Sequence, residues 1–166
     1  IWMLYNSLVE LRQRVRQGWA NIDVELKRRA ALLPNLEKTI TGLAAHEKLV
    51  QPLLAALRAQ GAPTAPGRPG PDPEALAHPL RAVAEAFPEL KANALYEKLH
   101  KQLVETEDRI ALARNYFNGI ATFYNTRIAV FPDGLLAGMA GLRPQALMTG
   151  AGFERPPVTM QGGPLA

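Results

Sequence analysis

The sequence predicts an all-α fold, built as an elongated antiparallel bundle of three to four helices. Apolar residues recur at intervals of three and four over two long stretches, which is the period of one helix face. Much of the apolar content is Ala and Leu, which favour helix over strand. Hydrophobic residues make up 48% and charged residues 20% of the 166 residues, as expected of one globular domain.

The first stretch predicts a long helix over residues 4–33. Its apolar face consists of Leu4, Leu8, Leu11, Val15, Trp19, Ile22, Leu26, Ala30 and Leu33. Pro34 interrupts this pattern, because proline lacks an N–H group and crowds the preceding turn. We therefore expect the first long helix to be kinked or broken at Pro34, with a second helix running on to about residue 60.

The second stretch gives the strongest helix signal and predicts a long last helix from Pro88 to about Phe131. Its apolar face consists of Leu95, Leu99, Leu103, Thr106, Ile110, Ala113, Phe117, Ile120, Tyr124 and Ile128. A short third helix is expected over residues 74–87. Residues 61–73 predict a linker, because five prolines and three glycines fall within thirteen positions. A long rod cannot bury its apolar face alone, so we expect the last helix to pack along the first ones.

Both ends of the chain are predicted to lie outside a bundle of residues 6–131. Residues 1–5, Ile-Trp-Met-Leu-Tyr, are apolar and aromatic, and arginines follow at positions 12, 14 and 16. This order is typical of the interfacial end of a membrane span, and the alternative is a frayed helix start. Residues 132–166 are apolar and then rich in Gly and Pro, which predicts a C-terminal tail that is partly ordered at best.

The charge balance and the absence of cysteine exclude several classes of function. The net charge is +4, divided as +4 over residues 1–60, −2 over 61–90 and +2 over 91–166. A nucleic-acid-binding domain usually concentrates many more Lys and Arg residues on one face, so no nucleic-acid partner is predicted. A chain without cysteine has no disulfide scaffold, no catalytic thiol and no Cys-ligated zinc.

No catalytic, cofactor-binding or metal-binding residue is predicted. A di-iron site in a helical bundle requires two Glu-x-x-His pairs, and the sequence has one, Glu97 with His100, which we interpret as a solvated helix flank. Glu105, Glu107 and Asp108 form an acidic cluster, which surface pairing between helix turns explains without acid–base chemistry. The alternative is a buried structural bond from Glu105 or Glu107 to the first helix.

The remaining polar motifs are interpreted structurally. Lys27-Arg28-Arg29 predicts a solvated face, and the alternative is contact with an acidic partner or lipid headgroups. His46-Glu47 is expected to be a buried hydrogen-bonding pair on the second helix. A set of polar residues lies within the apolar faces and is expected to fix the register between helices: Asn6, Asn21, Asp23, Asn35, Glu47, Asn93, Asn115, Asn118 and Asn125.

Several short motifs occur in order along residues 5–140. The first half contains Tyr5-Asn6-x-Leu8-Val9, Trp19-x-x-Ile22-Asp23-Val24-x-Leu26-Lys27-Arg28-Arg29, Leu33-Pro34-Asn35-Leu36 and His46-Glu47. The second half contains Phe87-Pro88-x-Leu90-Lys91-Ala92-Asn93, Glu105-Thr106-Glu107-Asp108-Arg109-Ile110, Ala113-Arg114-Asn115-Tyr116, Tyr124-Asn125 and Phe131-Pro132. In this order and spacing the motifs resemble the LemA family.

The resemblance implies a bacterial protein with one N-terminal transmembrane helix, a helical-bundle domain and no enzymatic activity. One branch of the family serves in magnetosome formation, and no motif here identifies that branch. Two features depart from the family: the linker at 61–73 is longer and richer in proline, and the tail lacks the aromatic residues common after the Phe-Pro motif.

We expect a non-enzymatic, membrane-anchored structural or assembly protein that associates with itself. The alternative is an adaptor or peptide- or ligand-binding module for a membrane protease, transporter or signalling partner. Arg12, Arg14 and Arg16 favour the cytoplasmic face for the bundle, because positive residues close to a span tend to stay inside.

Overall fold

The computed structural model of the chain describes residues 1–44, 47–60, 67–68 and 74–148. Within these ranges all regular structure is helical, which confirms the predicted class. The helices are α1 (Trp2–Ala44), α2 (Gln51–Ala59), α3 (Glu74–Ala86), α4 (Pro88–Lys91), α5 (Ala94–Ala129) and α6 (Asp133–Met139). The described residues therefore form six helices, of which α4 and α6 are short, where the sequence predicts three to four.

The first helix continues through Pro34, so of the two predicted alternatives at this residue, a kink or a break, the break is wrong. Pro34 is exposed, whereas Leu33 and Leu36 on either side of it are buried. The proline ring and the hydrogen bond that it cannot donate thus face solvent, while the apolar face keeps its packing across the interruption. The second helix, α2, begins after the turn at residues 48–50, where Pro52 occupies its first turn.

The long last helix begins later than predicted, because the chain leaves one helix at Ala92 and Asn93 starts another. The Asn93 side chain accepts a hydrogen bond from the Tyr96 backbone N–H at 3.0 Å, which makes it the N-cap of α5. Residues 88–91 form the separate short helix α4. The short third helix is confirmed as α3, and its apolar residues Leu76, Leu80 and Val83 are buried.

Helices α1 and α5 pack against each other in antiparallel directions along most of their lengths. Residue numbers rise on α1 as they fall on α5: Ser7 contacts Arg127, and Arg29 contacts Glu107. Between these two contacts Gly18 lies against Phe117, whose nearest side-chain atom is 3.6 Å from the position a Cβ would take. With about 1.5 Å of rise per residue, the 43 residues of α1 give a rod of about 65 Å. The antiparallel packing predicted for the long helices is confirmed.

The apolar interior has two parts. One part lies between the C-terminal half of α1, helices α2, α3 and α4, and the start of α5, and it includes Leu36, Leu53 and Leu80. The other part lies between the N-terminal half of α1 and the rest of α5, and it includes Ile22 and Phe117. The buried polar residues Arg29 and Thr106 lie at the positions on α1 and α5 where one part gives way to the other, and the buried Arg114 lies farther along α5, among residues of the second part.

The start of the C-terminal segment packs on the bundle, although the sequence predicts a tail outside it from residue 132. Helix α6 contacts both α1 and α5 and buries Asp133 and Ala137, and Met148 is buried in the second apolar cluster. This packing depends on long-range contacts that helical periodicity does not encode. Residues 149–166 lie outside the described part of the chain.

Two asparagines of α5 hold residues 145–148 along the bundle. Asn118 donates to the carbonyl of Met148 at 3.0 Å and accepts from its N–H at 2.9 Å, and Asn125 does the same for Gln145 at 2.8 and 2.7 Å. The spacings match, because seven residues of helix and three residues of extended chain both span about 10 Å. Asn118 and Asn125 therefore fix an extended segment, not the register between helices as predicted.

Candidate functional site

A buried ion pair joins α1 to α5 near the boundary of the two apolar clusters. Arg29 is 1% exposed, and its guanidinium donates to a Glu107 carboxylate oxygen and to the Gln60 side chain. It also donates to the Gln60 backbone carbonyl at 2.9 Å. The solvated face predicted for the Lys27-Arg28-Arg29 run is thus wrong for Arg29. The alternative of a buried bond from Glu107 to the first helix is confirmed.

A second buried guanidinium, that of Arg114, lies close enough to Glu107 and Arg29 for their charges to act on it. Burial lowers the pKa of Arg114, Glu107 opposes this effect, and the positive charge of Arg29 adds to it. An arginine stays protonated despite such a shift, so it cannot act as a general acid or base near neutral pH. The cluster of Arg29, Glu107 and Arg114 is therefore suited to holding the helices together and not to transferring a proton.

A groove of about 600 Å³ separates α3 from α5. Helix α3 packs on α2 and α4, and Tyr96 reaches across from α5, donating from its hydroxyl to the Leu80 carbonyl at 3.4 Å. The Tyr96 ring stacks on His100 at a centroid distance of 6.0 Å, and burial raises the pKa of the Tyr96 hydroxyl. A cleft of this volume matches the size of small-ligand or side-chain binding sites.

Charged and apolar residues share the lining of this groove. Its apolar surface includes Ala77, Leu103 and Val104. Its polar lining comprises Arg81, Glu85, Lys91, Glu97, His100, Glu107 and Asp108. Arg81 follows Leu80, the contact of Tyr96, whereas Asp108 lies twelve residues farther along α5, at a distance of about 18 Å. The groove therefore carries charges of both signs at its Tyr96 end, and the carboxylates of Glu107 and Asp108 lie at the other end.

The acidic residues and the histidine for which the sequence predicts a structural role and no chemistry lie in several different environments. Glu97 is exposed as predicted, whereas His100 is half-buried and stacked, which the solvated-flank interpretation did not include. Glu105 and Asp108 are exposed. Within the described residues, no group of three or more His, Asp or Glu side chains is arranged to hold a metal ion.

The prediction that His46 and Glu47 form a buried pair is wrong for Glu47, which is exposed at the start of a turn. His46 lies outside the described residues. Asn6, Asn21, Asn35 and Asn115 are exposed, and Asp23 pairs with Lys27 on its own helix at 2.9 Å. The inter-helix register role predicted for this set is therefore wrong for these residues, and Asn93 acts as a cap.

Helix α5 carries a second apolar face that the sequence analysis missed. Leu112, Tyr116 and Phe123 are exposed, and a Cβ on Gly119 between them would meet no atom within 4 Å. The four residues are spaced by four, three and four, which places them on one stripe of the helix, about 130° around its axis from the buried Phe117. The signal for this stripe was present in the spacing of the sequence, but the stronger inward pattern on the same helix obscured it.

Exposed apolar residues also collect at one end of the bundle. Trp2 and Met3 begin α1, Phe131 follows α5, and Leu135 and Met139 lie on α6. These segments are neighbours, because Arg127 donates to the Ser7 hydroxyl at 3.1 Å and α6 contacts both α1 and α5. In the part of the chain that the structure describes, no helix is long and apolar enough to span a bilayer.

Comparison with known proteins identifies the family. A model of the LemA family matches residues 18–161. The chain belongs to the LemA family. This membership confirms the resemblance carried by the ordered motifs, and the helical bundle described above is the fold of this family member.

The LemA-family chain is similar to several curated magnetosome proteins. It is 26% identical over 173 residues to Magnetosome protein MamQ 2 and, equally, to Magnetosome protein MamQ 1 of Paramagnetospirillum magneticum (strain ATCC 700264 / AMB-1). Each match covers 85% of this chain and 63% of the relative, so the chain spans less than two thirds of these relatives. It is also 36% identical over 64 residues to Magnetosome protein MamQ of Magnetospirillum gryphiswaldense, covering 39% of this chain and 24% of that protein.

Proposed function

We propose that this LemA-family protein is a non-enzymatic structural or assembly protein that is attached to a membrane at the Trp2 end of α1 and associates with copies of itself. The observation that carries the self-association is the exposed stripe of Leu112, Tyr116, Gly119 and Phe123 on α5. Exposed aromatic residues in a continuous patch are typical of protein-binding surfaces. The MamQ relatives, which are named as magnetosome proteins, support a place in a larger assembly.

A second copy fits this stripe because the stripe is self-complementary. Two α5 helices that cross antiparallel at Gly119 would place Tyr116 of one copy against Phe123 of the other, twice across a twofold axis. Gly119 lets the two backbones approach closely, since it has no side chain and open space around it. The spacing of four and three is also that of helices that pack side by side.

Replacing Tyr116 and Phe123 together by serine tests this interface. Each aromatic side chain is expected to contribute at least about tenfold to the dissociation constant, so the double variant should weaken the dimer by about a hundredfold or more. Light scattering of the chain over a range of concentrations, in buffer without lipid, measures the effect.

The matched control is the Leu49→Ser/Leu95→Ser variant, which changes two exposed apolar residues at the opposite end of the bundle from Trp2. It should dimerise like the wild-type chain. A wild-type chain that remains monomeric at millimolar concentration, or two variants that dimerise equally well, would refute self-association through α5.

A second candidate function, an adaptor that binds a peptide, is favoured by the groove between α3 and α5. Its apolar lining and the carboxylates of Glu107 and Asp108 at one end suit a segment with apolar side chains next to a Lys or Arg. Asp108 is exposed and is the more accessible of the two carboxylates, because Glu107 binds Arg29.

An acetylated Leu-Leu-Lys-Leu peptide serves as the probe for the groove. NMR titration should shift the resonances of Ala77 and Val104, and Asp108→Asn should weaken binding about fivefold to tenfold, as expected for the loss of one exposed or partly buried charge pair. Glu105→Gln, which changes an exposed carboxylate outside the groove lining, should have no effect. Shifts spread over the whole surface, or equal effects of both variants, would exclude the adaptor role.

A further inference from the structure

The end of the bundle near Trp2 carries a broad apolar surface built from three segments. Trp2 is 76% exposed at the start of α1, Phe131 is 87% exposed after α5, and Met139 is 82% exposed on α6. Large apolar side chains this accessible are unusual on a water-facing surface when they lie together, and such patches mark contact sites. The hydrogen bond between Arg127 and Ser7 fixes the neighbourhood of α1 and α5 at this end.

Helix α6 has two distinct faces. Asp133 and Ala137 are one turn apart and buried against the bundle, whereas Leu135 and Met139, also one turn apart, are exposed. The exposed face has no role in the packing of α6. Its two large apolar side chains extend the surface formed by Trp2 and Phe131.

Charge is nearly absent from the tip of this end and positive just behind it. Residues 1–9 and 128–142 contain one charged side chain, Asp133, which is buried and paired with Arg127. Behind the tip, α1 carries Arg12, Arg14 and Arg16, and Glu10 pairs with Arg14 at 2.7 Å. Arg143 adds another exposed positive charge, and its carbonyl accepts from the Tyr124 hydroxyl at 3.2 Å, which places it beside the C-terminal part of α5.

An uncharged apolar tip with arginine residues just behind it matches the layers of a bilayer surface that contains anionic lipid. Aromatic side chains favour the boundary between headgroups and acyl chains, and arginine side chains favour phosphate. A second copy of the chain is a poorer occupant, because twofold pairing at this end would bring the arginines of both copies together. An acidic protein surface would match the arginines but not the uncharged tip.

We infer that α6 and the Phe131-Pro132 turn form, with the start of α1, a foot that rests in the interface of an anionic bilayer. The foot gives the bundle a second membrane contact beside the attachment through α1, and two contacts on different segments would hold the rod at a fixed orientation to the membrane. The inference deepens the proposed function and rests on its membrane placement.

Vesicle sedimentation with the 166-residue chain tests the foot. Wild-type protein should sediment with vesicles of phosphatidylcholine and phosphatidylglycerol and much less with phosphatidylcholine alone. The Leu135→Ser/Met139→Ser variant should bind at least about tenfold more weakly, because it removes apolar surface from the interface. The Leu49→Ser/Leu95→Ser variant is the control and should bind like the wild type, and Arg12→Gln/Arg16→Gln should lose about tenfold on the anionic vesicles.

The possible results distinguish failure of the foot from failure of the proposed function. Loss of binding in Trp2→Ser/Met3→Ser with unchanged binding in Leu135→Ser/Met139→Ser would refute the foot and leave attachment through α1 intact. If the wild-type chain binds neither kind of vesicle, the foot is refuted. The light-scattering test of the α5 stripe in buffer without lipid still decides self-association. A lower mass of the α6 variant in lipid-free buffer would make this end a contact between copies and also refute the foot. Circular dichroism of the exposed-site variants should match the wild type, so that a loss of binding is not a loss of folding.

Discussion

Replacement of Glu107 by alanine is expected to lower the free energy of unfolding by about 3–5 kcal/mol, because it leaves a buried guanidinium without its carboxylate. Arg29 is 1% exposed and cannot regain water without opening the contact between α1 and α5. Gln60 supplies neutral oxygen acceptors alone, and Arg114 adds a second positive charge nearby. Urea unfolding followed by circular dichroism measures the loss.

The exposed pair of Arg58 and Glu37 provides the matched control. The Arg58 side chain is 67% exposed, so Glu37→Ala should cost less than about 1 kcal/mol. A double variant, Arg29→Met with Glu107→Leu, should be more stable than Glu107→Ala, because it removes both buried charges together. Equal losses for Glu107→Ala and Glu37→Ala would contradict the view that burial makes the first pair important.

This buried pair also marks the limit of what sequence periodicity predicts. Helical spacing correctly identifies Ile22, Leu26 and Leu33 as inward residues, but it selects Ala30 where the structure buries Arg29. Adjacent helix positions differ by about 100°, so either residue lies near the inward face. Arg29 is buried because Glu107 lies opposite it, 78 residues away in sequence, and hydropathy alone cannot detect such a partner.

The same limit explains two further differences between the sequence-based expectations and the structure. Pro34 has the local chemistry of a helix break, yet α1 continues because Leu33 and Leu36 remain packed. The two amides of Asn118 and Asn125 look like register devices from sequence, and they bind the backbone of residues 145–148 instead. Each outcome depends on tertiary contacts, which outweigh the modest propensities of single residues.

The candidate surfaces differ in how visible they are in the sequence. The stripe of Leu112, Tyr116 and Phe123 follows a regular spacing and could be read from the sequence once the inward face of α5 is assigned. The apolar end cannot be found in this way, because it is formed by segments about 130 residues apart in the sequence, at Trp2 and at Phe131–Met139. The groove between α3 and α5 likewise requires the fold, since Tyr96 and Leu80 meet only when the two helices are placed together.

Replacement of Phe117 by alanine is expected to cost about 3–5 kcal/mol, because it leaves a cavity in the contact between α1 and α5. Phe117 is fully buried and meets Trp19 edge to face at a centroid distance of 6.2 Å. Gly18 lies on the other helix at this point and has no side chain that could move into the space, so the cavity cannot collapse easily.

Phe123→Ala on the same helix separates packing from surface effects. Phe123 is 56% exposed, so its replacement should change the free energy of unfolding by less than about 1 kcal/mol, while it weakens the proposed dimer. Chemical unfolding at low protein concentration, where the dimer is dissociated, isolates the stability of the single chain. If Phe123→Ala destabilised the monomer as much as Phe117→Ala, the outer face of α5 would be part of the core, and it could not serve as a surface for a second copy.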